Sequence, residues 1–188
     1  ELIISNFTTS DYVVEYQIYN KIFKTVGMLV SLALTPIWSA VTKAQAQKNF
    51  QWIKKIYRFF LLAAAACLLL ELCVIPILPW IIECWVGKDI VKVHSGYALA
   101  FVFSNTMLVL HSVNTSIGNG LSYFRVQMIW MTFAALVFIP LSYIFVQSMG
   151  SWIGVVIANT LSLMPYELLA PVFTMKLLHK KCNAVKCE

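Results

Sequence analysis

The sequence has 188 residues, of which 60% are hydrophobic and 12% are charged, and its 14 Lys and Arg against 8 Asp and Glu give a formal net charge of +6. Soluble domains have about a quarter of their residues charged, so this composition excludes an ordinary water-soluble protein. The basic residues lie beside long apolar runs and not in one continuous stripe. This argues against a nucleic-acid partner and is typical of membrane topology signals.

The sequence begins with Glu1, and residues Leu2 to Ile4 resemble the end of an apolar span that started earlier. The three parts of a secretory signal peptide, a basic region, an apolar stretch and a cleavage site, are not recognisable there. We therefore expect the sequence to be the C-terminal fragment of a longer protein.

Five apolar runs are predicted to span the membrane, at 12–41, 59–82, 93–118, 126–146 and 152–178. Each has about twenty residues or more, enough to cross a bilayer core of about 30 Å as a helix. Membrane strands would alternate apolar and polar residues over about ten positions, whereas residues Leu61 to Leu70 are apolar on every face. We expect an all-α integral membrane protein with about five transmembrane helices.

The first run carries a polar stripe at helical spacing. Its members are Gln17, Asn20, Lys21, Lys24, Ser31 and Thr35. If the helix begins near Tyr12, Lys24 lies about 18 Å along its axis, close to the middle of the bilayer. Two lysines at that depth would line a cavity for an anionic ligand such as a phosphate or an acidic sugar. Alternatively, the span begins near Phe23 and both lysines extend to the outer interface.

The connection at 43–58 alternates basic and apolar residues at helical spacing. Phe50, Ile53 and Tyr57 share one side of a helix, and Lys54 and Arg58 lie mostly on the other. This pattern predicts a basic amphipathic helix at the cytoplasmic membrane surface. A basic helix cap that sets the topology explains the same residues.

The second and fifth runs each contain a carboxylate that the bilayer disfavours, Glu71 and Glu167. An ionised side chain at that depth costs a few kcal/mol unless it has a partner or a cavity. Each glutamate is therefore a candidate for coupling to H⁺ or Na⁺. Pairing with a lysine, or a neutral hydrogen-bonded acid, remains an alternative for Glu71.

The third run places Ser104, His111 and Thr115 on one helical face, with Asn105 and Asn114 beside it. These residues line a polar cavity or form hydrogen bonds between helices, and the spacing fits both. A second His or an acidic pair at ligand spacing is not found near His111, so we expect no metal ion. No catalytic motif or phosphate-binding loop is recognisable, so we expect neither an enzyme nor a cofactor.

The charged connections predict the orientation of the helices. Basic residues follow the first, third and fifth runs, whereas the other connections are mixed or uncharged. The basic residues are Lys43, Lys48, Lys54, Lys55, Arg58, Arg125, Lys176, Lys180, Lys181 and Lys186. Because Lys and Arg concentrate on the cytoplasmic side, the first helix is expected to run inward and residues 179–188 to form a cytoplasmic tail.

Several segments resemble the C-terminal half of polysaccharide flippases. They are Tyr16–Phe23, Leu34–Val41, Ala44–Lys55, Pro79–Gly87 and Ile117–Gly120. The resemblance extends, with these segments as its landmarks, over nearly the whole chain. The family belongs to the multidrug, oligosaccharidyl-lipid and polysaccharide exporter superfamily, in the branch that includes O-antigen and capsule-unit flippases.

The resemblance implies a twelve-helix exporter of the bacterial cytoplasmic membrane, with this chain forming most of its C-terminal six-helix bundle. The implied substrate is an undecaprenyl-diphosphate-linked oligosaccharide, moved by alternating access around a central cavity. We expect Lys21 and Lys24 to bind its anionic head, with Gln17, Asn20, His111 and Asn114 lining the path. Membrane lipids are expected partners, and polysaccharide assembly proteins are possible ones.

Two other functions fit the sequence. One is a cation-coupled multidrug exporter of the same superfamily, with Glu71 or Glu167 as the coupling acid. The other is a membrane scaffold without transport activity. Acidic cavity residues would favour the drug exporter, whereas the lysines of the first run favour the flippase.

Overall fold

A computed structural model of the protein describes residues 10–87 and 93–186, and within these ranges every regular element is a helix. The helices are α1 (Ser10–Ala46), α2 (Phe50–Val74), a short 3-10 helix (Ile75–Ile77), α3 (Leu78–Trp85), α4 (Ser95–Gly120), α5 (Phe124–Met149) and α6 (Ile153–Lys186). The predicted all-α class is confirmed. The beginning of the chain, including Leu2 to Ile4, lies outside the described residues.

Five stretches are long and apolar enough to cross a membrane. They are Val13–Ala46, Phe50–Trp85, Ser95–Gly120, Phe124–Met149 and Ile153–Ala184, with mean hydropathies between 1.4 and 2.6. Each corresponds to one predicted run. The second combines α2, the 3-10 helix and α3. The outer surface of the bundle is apolar, with Leu62, Ile129 and Leu136 among its exposed side chains, which fits contact with lipid. The chain is a multi-pass membrane protein.

Residues 43–58 do not form a separate surface helix. α1 continues to Ala46, and the chain reverses in a tight turn in which Lys48 has a φ of +56°. α2 then begins at once, because the Asn49 side chain accepts a hydrogen bond from the Trp52 backbone N–H at 3.2 Å. The apolar residues Phe50 and Tyr57 are buried among α1, α4 and α6, so the bundle core covers the side that was predicted to face lipid.

The predicted tail is also largely helical. α6 continues through the lysines after Leu178 and ends at Lys186, and residues 187–188 lie outside the described part of the chain. Leu178 is fully buried against the start of α2. This contact anchors the final turns of α6 to the bundle.

The helices α1, α4 and α6 run in the same direction. Their first halves meet in an aromatic cluster that contains Tyr19, Phe101 and Trp152. At the other end of the bundle, Val41 lies against Gly120, where an added Cβ would be 2.5 Å from a Val41 methyl carbon. We call this second end, which carries Lys43 and Lys54, the basic end, and the aromatic one the opposite end.

α4 is the central helix of the bundle. It packs against α1, α2 and α6, whereas α5 packs mainly on α6. α5 and α6 approach closely at Gly154, where an added Cβ would be 2.6 Å from the backbone of Phe145 and Val146. A glycine at such a crossing lets two membrane helices pack backbone to backbone. The central position of α4 leaves four of its polar residues buried: Ser104, Asn105, Thr106 and Asn114.

Candidate functional site

The residues of the polar stripe of α1 lie in different environments. Gln17 and Asn20 are half-buried, whereas Lys21 and Lys24 are exposed. The Thr35 hydroxyl donates to the Ser31 carbonyl oxygen of its own helix at 3.3 Å, which satisfies it without a ligand.

A cavity of about 200 Å³, which we call the central cavity, lies between α1, α4 and α6. Its polar lining residues are Tyr16, Asn20, Lys24, Ser104, Asn105 and Asn159. Asn105 lies ten residues into a helix of 26 residues, so the cavity is roughly 15 Å from one end of α4 and roughly 22 Å from the other. Lys24, whose side chain is exposed, therefore lines a polar space near the middle of the membrane-spanning helices.

Lys21 lies in a different environment from Lys24. Its Nζ is 5.9 Å from the ring centroid of Trp85, the last residue of α3. That distance is within reach of a cation–π interaction. Lys21 is thus held at the opposite end of the bundle, and Lys24 lines the central cavity. Of the two lysines, only Lys24 is among the residues that line the central cavity.

Glu71 is fully buried behind the central cavity. Its Oε1 accepts a hydrogen bond from the Asn105 side-chain amide at 2.5 Å, and the same amide donates to the Phe23 carbonyl oxygen at 3.0 Å. Oε2 of Glu71 is buried without a hydrogen-bond partner among the described residues. A buried carboxylate oxygen without a donor is costly when ionised, which suits a group that takes up a proton or a cation.

Glu167 forms a second buried polar network, closer to the basic end. His111 Nδ1 lies 2.7 Å from Oε1 of Glu167, and the Asn114 amide donates to Oε2 at 2.6 Å. The Tyr57 hydroxyl in turn donates to Oδ1 of Asn114 at 2.6 Å. Both carboxylate oxygens of Glu167 therefore have a partner on α4, and Tyr57 of α2 donates a hydrogen bond to one of these partners, Asn114.

The network continues to α5 through His111. Nε2 of His111 lies 3.4 Å from the Thr115 hydroxyl, which accepts a hydrogen bond from the Gln127 amide at 3.1 Å. The carbonyl oxygen Oε1 of Gln127 is buried without a partner among the described residues. Four helices thus share one chain of hydrogen bonds that includes a His and a carboxylate, the two groups that most readily exchange a proton.

The structure brings together some of the candidate residues and separates others. Asn20 and Lys24 share the central cavity, whereas His111 and Asn114 belong to the network around Glu167. Asn114 also lines a second cavity of about 300 Å³ toward the basic end. The polar residues of α4 thus line cavities and also form hydrogen bonds between helices.

The structure adds three site residues that the sequence did not single out. Asn105 and Asn159 line the central cavity, and Tyr57 belongs to the hydrogen-bond network around Glu167. Asn105 was visible as a polar residue at depth, and this is the signal that could have identified it. Asn159 lines the central cavity one turn beyond the buried Val155 and Val156. The Tyr57 ring belongs to the buried apolar side of α2, so only the partner of its hydroxyl shows its polar role.

Among residues 10–87 and 93–186, no three His, Cys, Asp or Glu side chains are grouped as metal ligands would be. Comparison with models of known families, with curated proteins and with solved structures found no match to this chain.

Proposed function

We propose that the chain supplies five helices of a flippase that translocates undecaprenyl-diphosphate-linked oligosaccharides for O-antigen or capsule-type polysaccharide synthesis. The proposal is of a transporter, not an enzyme, in the bacterial cytoplasmic membrane, with the C-terminus on the cytoplasmic side. It rests on the similarity of segments such as Tyr16–Phe23 and Pro79–Gly87 to flippases, and on the position of one cation.

The observation that carries the proposal is the placement of Lys24. Its side chain lines the central cavity together with the amides Asn20, Asn105 and Asn159. An ammonium group provides charge-assisted hydrogen bonds to a phosphate, and neutral amides bind sugar hydroxyls without adding charge. A cavity with this lining suits an anionic, hydroxyl-rich ligand better than a cationic one.

The orientation is supported by the distribution of basic residues. Lys43, Lys54, Arg58, Arg125 and Lys180 are all at the basic end of the bundle, where α1, α4 and α6 have their C-terminal halves. Placing this end in the cytoplasm satisfies the positive-inside rule. The lipid-linked substrate would then be loaded from the basic end and released at the opposite end.

Complementation tests the proposal. The full-length gene, restored to a strain that lacks its flippase, is expected to restore surface polysaccharide and to prevent accumulation of the lipid-linked precursor. Lys24→Gln is expected to reduce surface polysaccharide about tenfold or more, because a hydrogen bond to a charged group contributes about 1.5–3 kcal/mol. Lys24→Arg keeps the charge and should retain much of the export.

Lys43→Gln is the matched control, because it removes one lysine from the same helix at an exposed site outside the central cavity. Lys21→Gln should have a smaller effect than Lys24→Gln, since Lys21 is paired with Trp85. Export that is unchanged in the Lys21→Ala, Lys24→Ala double variant would remove the binding role from both lysines. Failure of the original gene to restore polysaccharide would reject the flippase itself.

A cation-coupled multidrug exporter is the second candidate, and Oε2 of Glu71, which has no hydrogen-bond partner in the described part of the chain, favours it. Such an exporter needs an acid that binds H⁺ or Na⁺ and a site for cationic substrates. Efflux of a cationic dye that depends on this protein and stops in Glu71→Gln, with no effect on surface polysaccharide, would select this function over the flippase.

A further inference from the structure

At the basic end, an open cleft lies between the exposed faces of the first turns of α2 and the last turns of α6, beside the buried contact of Leu178 with α2. Its two adjoining spaces, of about 490 and 550 Å³, share Lys54, Arg58, His179 and Asn183. Lys55, Lys176 and Lys180 complete the charged lining. We call this feature the basic cleft. It is separate from the central cavity, whose lining residues are all different.

The cations of the basic cleft repel one another along both helices. Lys54 and Arg58 are four residues apart on α2, and Lys176 and Lys180 are four residues apart on α6. Like charges at this spacing destabilise a helix. Here the two pairs also face the same space, so the repulsion acts between the helices as well as along them.

Among the residues that the structure describes, no carboxylate lines the basic cleft. The sequence contains no Asp or Glu between Gln17 and Leu70, or between Leu168 and Cys187. Of the described carboxylates, Glu167 is fully buried and bound to His111 and Asn114. An external anion in the basic cleft would therefore replace repulsion by attraction.

The apolar surroundings of the cleft indicate what kind of anion fits. Phe59 and Leu62 lie beside the cations on the exposed side of α2. On the far side of Lys176 and Lys180, a cavity of about 300 Å³ is lined by apolar side chains that include Val126, Trp130 and Phe173. Cations next to apolar surface suit an amphiphile, whose charged head and hydrocarbon part bind side by side.

We propose that the basic cleft binds the phosphate headgroup of an anionic membrane phospholipid. Lys54, Arg58 and Lys180 contact the phosphate, and an acyl chain lies along Phe59 and Leu62. The lipid holds the ends of α2 and α6 together by neutralising both. This inference depends only on the bundle being in a membrane, so it stands or falls independently of the proposed transport activity.

The experiment titrates the purified full-length protein with phosphatidylglycerol and with phosphatidylcholine of the same chain length, and counts bound lipid by native mass spectrometry. Arg58→Gln with Lys180→Gln removes one arginine and one lysine from the cleft. Lys43→Gln with Arg125→Gln removes the same two residue types from exposed sites of the basic end that do not line the cleft. We expect the apparent Kd for phosphatidylglycerol to rise at least tenfold in the first variant and less than twofold in the second.

Three results would overturn the proposal. Phosphatidylglycerol that binds no tighter than phosphatidylcholine would show that the cleft does not select an anion. An equal loss of phosphatidylglycerol affinity in both double variants would show that the effect comes from the overall positive charge of the surface and not from the basic cleft. Full displacement of phosphatidylglycerol by inorganic phosphate at equal concentration would identify a free anion, and not a lipid, as the ligand.

A second measurement shows that a loss of binding does not come from misfolding. In nanodiscs of phosphatidylcholine alone, Arg58→Gln with Lys180→Gln is expected to unfold at the same temperature as the original protein or a higher one, because two repulsive charges are gone. Phosphatidylglycerol should raise the unfolding temperature of the original protein and of the control variant, but not that of the cleft variant. A cleft variant that unfolds at a lower temperature without anionic lipid would show that these cations have a stabilising partner within the protein, and would overturn the proposal.

Discussion

Oε1 of Glu167 lies 2.7 Å from Nδ1 of His111, with the carboxylate fully buried and the His side chain 25% exposed. The pair joins α6 to α4 in the interior of the bundle. A polar contact in this position links two helices of the bundle core. Its contribution to stability can be measured directly.

A double-mutant cycle with His111→Ala and Glu167→Gln should show a coupling free energy of about 1–3 kcal/mol between the two positions. Hydrogen bonds between membrane helices average about 0.6 kcal/mol, and a bond to a charged group is stronger. The measurement is the free energy of unfolding of the two single variants and the double variant in the same lipid. Strict additivity would mean that the two side chains are close but do not stabilise each other.

Tyr57→Phe should destabilise the protein by about 1 kcal/mol, because it removes the hydroxyl that donates to Oδ1 of Asn114 and leaves a buried acceptor unpaired. The ring itself remains in place. Tyr123→Phe is the matched control, since Tyr123 is exposed, and its effect should be close to zero. Equal unfolding temperatures for the two variants would contradict the assigned role of the hydroxyl.

Gly154→Ala should destabilise the bundle by about 1–3 kcal/mol, the usual cost of overpacking. The new methyl group would meet the backbone of Phe145 and Val146 at 2.6 Å, and a backbone cannot turn aside as a side chain can. Gly96 provides the control, because an added Cβ there has no neighbour within 4 Å. Gly96→Ala should leave stability unchanged or raise it slightly. If Gly154→Ala destabilises the protein no more than Gly96→Ala does, α5 and α6 pack less closely than the structure shows.

Water access to the central cavity can be tested with a cysteine at Lys24, in a background in which the native cysteines are replaced by Ser. A thiolate forms only in contact with water, so Lys24→Cys is expected to react with a water-soluble maleimide at least tenfold faster than Leu136→Cys. Leu136 is also exposed, but on the apolar outer surface of α5. Equal, slow labelling at both positions would favour a scaffold without a transport path.

The all-helical type and the five membrane-spanning stretches of the described residues could be predicted from the sequence, because each apolar run is long enough to span a bilayer. Their ends could not, since a helix does not stop where its apolar residues stop. α6 runs on to Lys186, held by the buried Leu178, and α2 begins at Phe50 because Asn49 caps it. The helix predicted over 43–58 is interrupted by the turn at Lys48. Its apolar residues Phe50 and Tyr57 are buried in the bundle core and do not lie on the membrane surface.

The candidate site could be predicted only in part. Helical spacing predicted a polar stripe along α1, but spacing does not decide where a long side chain extends. Lys21 and Lys24 separate because Trp85, from a distant part of the sequence, meets only the first of them. The contact of Glu167 with His111 and Asn114 likewise joins residues far apart in the chain. Such pairings depend on how the helices pack, which a single sequence does not encode in its periodicity.

The depth of Lys24 has a consequence for energetics across an energised membrane. An anion that reaches its ammonium group from either face crosses about half of the electric field. A full crossing is worth about 2.3 kcal/mol per unit charge at about 100 mV, so half of it is about 1.2 kcal/mol. For a single charge, this changes occupancy of the central cavity by roughly sevenfold to eightfold. The membrane voltage would therefore act directly on loading of this cavity, even if no proton or sodium ion were exchanged at Glu71 or Glu167.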